Sequence, residues 1–213
     1  MNKRSGFQRR KEQSRERIKR AASELFQTHG VKKTSLADIA ERASVSPVTI
    51  YNHFGNKDGV VKAVFKDILD ATIVSMLGVV EGDGSFPEKL EGLIFAKLAM
   101  LRDHGDTVVQ AMSSSDPELR ELIEHTTSQS TRAFMQLLAE GRQQGYIDPA
   151  ISDRSVMLFI EMFREFSANH KLLTGDSEQD LRMSQELSTL FFYGIMGNRH
   201  IQVPEVGDRK EKA

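Results

Sequence analysis

The chain contains no cysteine, which excludes disulfides, thiolate zinc sites and cysteine nucleophiles and agrees with a reducing compartment. Tryptophan is also absent, and 5 prolines in 213 residues leave little reason for long disorder. No uncharged stretch approaches the roughly 18 residues needed to span a bilayer. The basic start is not followed by the apolar run of a secretory signal. A soluble, cytoplasmic protein with no membrane partner is expected. Strand signals are scarce: no alternating runs joined by Asn-Gly or Asp-Gly occur. The six histidines, at 29, 53, 104, 125, 170 and 200, form neither H-x-x-x-H nor H-E-x-x-H, and there is no Gly-rich phosphate loop or nucleophile elbow. These absences argue against an enzyme and leave no motif for a metal or cofactor; scattered carboxylates in a helical bundle have no diagnostic spacing.

What is present is a charge asymmetry. The net charge is -1, yet residues 1–66 hold 15 Lys+Arg against 6 Asp+Glu, a surplus of nine, while the remainder holds 14 against 24, a deficit of ten. Short basic tails are common, but here the surplus persists through Lys32, Lys33, Arg42, Lys57, Lys62 and Lys66. An anionic partner at one end is implied.

Helical spacing dominates the chain, and 39% hydrophobic residues supply a core. Ile18, Ala21, Ala22, Leu25 and Phe26 share one helical face that should stop at Gly30. Ser35 with Asp38 makes a capping box ahead of a short helix carrying Leu36, Ile39, Ala40 and Ala43. Pro47 suits a first helical position, predicting a helix over 47–54, a break at "GNKDG" and a long helix over about 57–77. The loop "EGDGS" follows. Further helices are expected over 86–103, 106–113, 117–144, 153–173 and 177–196. The fold class is therefore all-α: a small three-helix head, residues 1–59 with a basic arm, and a larger helical body, residues 60–213.

The head has the spacing of a helix-turn-helix. Ala40, Ser44 and Ile50 fall where that motif needs a small residue for close packing, a turn residue near the left-handed region, and an apolar anchor beneath the second helix. Val45 and Phe54 complete the plug. Serine at the turn, where glycine is usual, costs on the order of 1 kcal/mol if φ is positive. On a helix starting at Pro47, residues 47, 48 and 51 share one side and Ile50 and Phe54 the opposite one.

"TSLADIAERASVSPVTIYNHFGNKDGVVKAVF", residues 34–65, resembles the DNA-binding domain of the TetR family of bacterial transcriptional regulators. The resemblance is specific over about 15–65, with Thr49, Tyr51, His53, Phe54 and Lys57 in the family's order; beyond it rests on length, helical content and echoes such as "EGRQQGYIDPAIS". It implies a double-stranded DNA operator as partner. The exposed tip, Pro47 and Val48, suits thymine methyls and close backbone approach. Tyr51 can reach a base or phosphate, while Thr49, His53 and Lys57 are placed for phosphates, with Ser35 and Ser46 as neutral donors. Asn52 fits a backbone or phosphate contact better than adenine readout. Taken singly, each has a plainer role, a packing tyrosine, a surface histidine, a simple turn; their order on a predicted corner is what points to DNA.

The resemblance further implies a homodimer formed through the last two long helices, a cavity in the body for a small-molecule effector, and a ligand-responsive regulator, most simply a repressor on a palindromic site. Val156 to Ile160 are five apolar residues in a row, so that helix is buried on more than one side. Val156, Phe159, Ile160, Phe163, Leu187, Leu190, Phe191, Gly194 and Ile195 are the dimer candidates. A lipophilic or aromatic effector is expected against Phe95, Leu98, Met112, Phe134, Leu138 and Met162, in an interior softened by 9 methionines and 12 phenylalanines. Glu161, odd on an apolar helix, is either paired or available to a cationic ligand. The competing reading is a helical small-molecule-binding protein or enzyme whose N-terminal corner is only structural.

Overall fold

The computed structural model describes residues 3–169 and 177–196. These residues form eight helices and no strand: α1 (Lys3–His29), α2 (Leu36–Ala43), α3 (Pro47–Phe54), α4 (Lys57–Glu81), α5 (Phe86–Met112), α6 (Pro117–Gln143), α7 (Asp153–Asn169) and α8 (Ser177–Met196).

Each break in the head has a local cause. Gly30, at φ +81, ends α1, and the buried Thr34 hydroxyl donates to its carbonyl at 2.9 Å. Ser35 and Asp38 form the reciprocal capping box that starts α2. Ser44 then takes φ 52, ψ 51, the left-handed conformation anticipated for the turn, and its N–H bonds back to the end of α2. Ser46 caps α3 by accepting from the Thr49 N–H at 3.2 Å, with Pro47 in the first turn. Asn56 caps α4 by accepting from the Gly59 N–H at 2.8 Å.

Close packing reinforces these stops. Ile18, Ala22, Phe26, Ile39, Ala40, Ile50, Val60 and Val64 belong to one buried cluster, so the first half of α4 completes the core built by α1 to α3. A second cluster joins Val80, Phe86, Leu90, Leu137, Leu138, Ile147 and Val156 in the body; a third joins Phe65, Val108, Ala111 and Leu119 across α4, α5 and α6.

The break expected near residue 104 is absent: α5 runs unbroken from Phe86 to Met112 through Gly105. A mid-helix glycine costs only about 1 kcal/mol, less than the burial of Thr107, Val108 and Ala111 on the following turn returns. Asp106, which resembles a helix start in the sequence, instead accepts a hydrogen bond from the Val31 N–H across 75 residues. Helix α4 also extends to Glu81, beyond the expected 77.

Candidate nucleic-acid interface and body cavity

Short helices expose what they do not bury. In α3, Ile50 is fully buried, whereas Val48 and Tyr51 are 65% and 67% exposed. The inward face is pinned from α1: the Arg15 guanidinium lies 4.7 Å over the Phe54 ring and donates to the His53 carbonyl at 3.3 Å. A cation held over an aromatic face and bonded to the last turn fixes the tilt of α3.

The polar candidates divide by what already occupies them. The Ser35 hydroxyl donates to Asp38 at 2.7 Å, and Ser46 is engaged with both the Thr49 N–H and, at 2.9 Å, the Thr49 hydroxyl. Both hydroxyls cap helix N-termini, those of α2 and α3. Pro47, Asn52 and Tyr51 stand in solvent. The Lys57 ammonium donates to the Lys32 carbonyl at 3.4 Å, which draws the turn bearing exposed Lys32 and Lys33 against the start of α4. His53 is half-buried, its ring 5.9 Å from that of Phe54. Burial, helped by the positive charges of Lys11 and Arg15, pushes its pKa below the usual histidine range. A neutral imidazole offers a phosphate one N–H donor and no charge. Arg15 was not among the residues singled out from sequence; nothing local marks a partner 38 residues away.

In the body, a cavity of about 470 Å³ lies between five helices. From α4 come Thr72 and Met76; from α5, Leu93, Ile94, Ala96, Lys97 and Met100; from α6, Ser130 and Phe134. Phe159 of α7 and Leu187, Leu190 and Phe191 of α8 complete the lining, Phe159 and Leu190 remaining exposed. Phe191 links the wall aromatics, 6.0 Å from Phe134 and 5.5 Å from Phe159. Met100 stands on the cavity wall and also packs against the head core and the third cluster.

Of the effector candidates, Phe134 is on that wall. Leu138 is fully buried in the second core, because its turn of α6 faces Phe86 rather than the cavity. Phe95, Met112 and Met162 are exposed and stand outside the lining, as does the exposed Glu161. Of the dimer candidates, Val156 is core, while Phe159, Leu187, Leu190 and Phe191 contribute to the cavity. Gly194 is exposed. The side chains of Leu98, Ile160, Phe163 and Ile195, together with residues 170–176, lie outside the described residues.

The family model for bacterial regulatory proteins of the tetR family matches residues 18–64, the span from the first core residue of α1 into the first third of α4. The transcriptional repressor KstR2 of Mycolicibacterium smegmatis is 27% identical over 150 residues, 68% of this chain and 73% of that protein. Among solved structures, the regulator FadR of Bacillus subtilis, in complex with stearoyl-CoA, superposes with a TM-score of 0.59 at 24% identity, covering 84% of this chain and 98% of that one. A regulator from Saccharomonospora viridis in complex with choline gives a TM-score of 0.65 at 20% identity, over 85% and 96%. The helix-turn-helix, its basic surroundings and these likenesses define a DNA-binding transcriptional regulator. Its head, over residues 18–64, is a TetR-family DNA-binding domain.

Proposed function

We propose that the chain binds a palindromic operator as a homodimer and is released from it by a lipophilic small molecule held in the body cavity. The observation that carries the DNA half is α3: one face anchored by Ile50, Phe54 and Arg15, the other presenting Val48 and Tyr51 to solvent above helix N-termini. In this reading Tyr51, Thr49, Asn52, His53 and Lys57 contact the duplex, and Pro47 and Val48 meet bases. Residues 1–59 carry the DNA contacts and 60–213 the effector and dimer functions, with the first half of α4 shared in packing.

Exposed Leu158, Met162, Leu190 and Tyr193 on α7 and α8 support self-association through those helices. Related two-fold regulators read half-sites one DNA turn apart, about 34 to 36 Å. An effector would act by favouring a head spacing that no longer fits. Met100, shared by cavity and head core, and the Asp106 bond to Val31 supply physical continuity between the two regions.

Selection of bound sequences from random DNA should return palindromes. On the selected site, Tyr51→Ala should weaken binding by about 1–3 kcal/mol, and Lys57→Ala should lower the salt slope by about one. If both variants keep wild-type affinity and slope, the assignment of contacts is wrong.

A further inference from the structure

Lys97 occupies the same face of α5 as Leu93 and Met100, in the middle of the cavity wall. Its side chain lines the cavity and keeps exposed surface, while the protein packed around it withdraws it from water on other sides. Among the described residues no acidic side chain lines the cavity and no carboxylate pairs with this ammonium. Desolvation alone pushes its pKa below the usual lysine range. The other polar lining groups are hydroxyls: Thr72 already donates to the Ile68 carbonyl at 2.7 Å, and Ser130 has no partner among the described residues.

A cation partly desolvated against an apolar wall lacks compensation that a ligand's counter-charge would supply. About 470 Å³ falls within the size range of small-molecule sites, about 300–1,000 Å³. We propose that the cavity binds a lipophilic anion, an apolar body ending in a carboxylate, whose charge is paired with the Lys97 ammonium. The inference rests on reading this cavity as the effector site, and it gives that effector a sign. Glu161, the group that would have suited a cationic ligand, stands outside the lining.

Calorimetric titration of the full chain with decanoate and decyltrimethylammonium below their micellar concentrations, and with decan-1-ol below its solubility limit, tests the charge preference directly. Wild type should bind decanoate roughly tenfold or more tighter than the alcohol, as a charge-assisted contact warrants, with the ammonium weakest. Lys97→Met should bring decanoate down to the affinity of the alcohol for the same variant, and Lys97→Arg should retain the preference for the acid; circular dichroism checks that both variants fold. Equal affinities in wild type, an acid preference surviving in Lys97→Met, or no binding of any probe would overturn the proposal. Binding to the selected operator, measured on the same samples without ligand, separates the two readings. Intact DNA binding without acid preference defeats the anionic site alone, and acid preference without DNA binding defeats the regulator reading alone.

Discussion

In the head, Ile18, Ala22, Ile39, Ile50 and Val60 are fully buried around a single small core, and α2, α3 and α4 each begin at a side-chain cap. In the body, helices up to 27 residues long surround a cavity of about 470 Å³, and Leu158, Met162, Leu190 and Tyr193 stand in solvent. The contrast separates two tasks. A surface that reads DNA needs one fixed tilt of α3, which dense packing and the Arg15 clamp supply. A surface that answers a ligand needs room and apolar area left unmatched within the protomer.

If that contrast is right, adding atoms should have opposite consequences in the two regions. A Cβ built on Gly59 falls 1.9 Å from the Phe54 carbonyl oxygen, a backbone atom that cannot move without shifting the turn between α3 and α4. Gly59→Ala should therefore destabilise the protein by about 3 kcal/mol and abolish operator binding with it. Gly105 is helical with nothing within 4 Å of the same position, and Gly105→Ala should stabilise by about 0.5–1 kcal/mol. Urea midpoints at unchanged m-value measure both. Equal behaviour of the two variants would remove the distinction between a tight head and a tolerant body helix.

A smaller stability effect is expected at the cavity itself. Ala96 lines it, and Ala96→Leu would extend three carbons into space that a ligand would use. Stability should change by less than about 1 kcal/mol, because the usual penalty of overpacking applies to filled cores. Decanoate binding should fall at least tenfold while operator binding without ligand is retained. A large loss of stability instead would mean that the body is as tightly packed as the head.

The same contrast governs what the sequence reveals. Ser35, Ser44, Ser46 and Pro47 are legible because caps and turns are set by nearest neighbours, and the anchor positions Ile50 and Phe54 follow from helical period. Gly59 reads only as part of a turn, since its need for no side chain depends on where the Phe54 carbonyl comes to rest. In the body, one apolar pattern serves core, cavity and exposed face alike. Leu138 and Phe134 are four residues apart on α6 and meet the same core, yet only Phe134 also reaches the cavity wall. Lys97 reads as an ordinary surface charge until four neighbouring helices build a cavity wall beside it. The continuity of α5 through Gly105 is a tertiary outcome, decided by Thr107, Val108 and Ala111.

The smallest expected effect tests whether both regions share a protonation signal. His53 in the head and His104 in the body each have a pKa lowered first by burial, with Lys11 and Arg15 adding to the effect at His53 and Asp103 opposing it at His104. A histidine whose folded pKa lies below its unfolded value, about 6.5, binds fewer protons when folded. Stability should then rise with pH towards about 6.5, level off above it, and be lost as pH falls below that value. His104 has a further reason: its Nδ1 lies 3.3 Å from the Gln27 amide nitrogen, so as acceptor it cannot keep that bond once protonated. Between pH 5 and 7, where ordinary carboxylates stay ionised, His53→Gln and His104→Gln should each flatten part of the slope. If only His104→Gln does so, the head is insensitive to pH in this range and the proton acts through the contact between α1 and α5 alone.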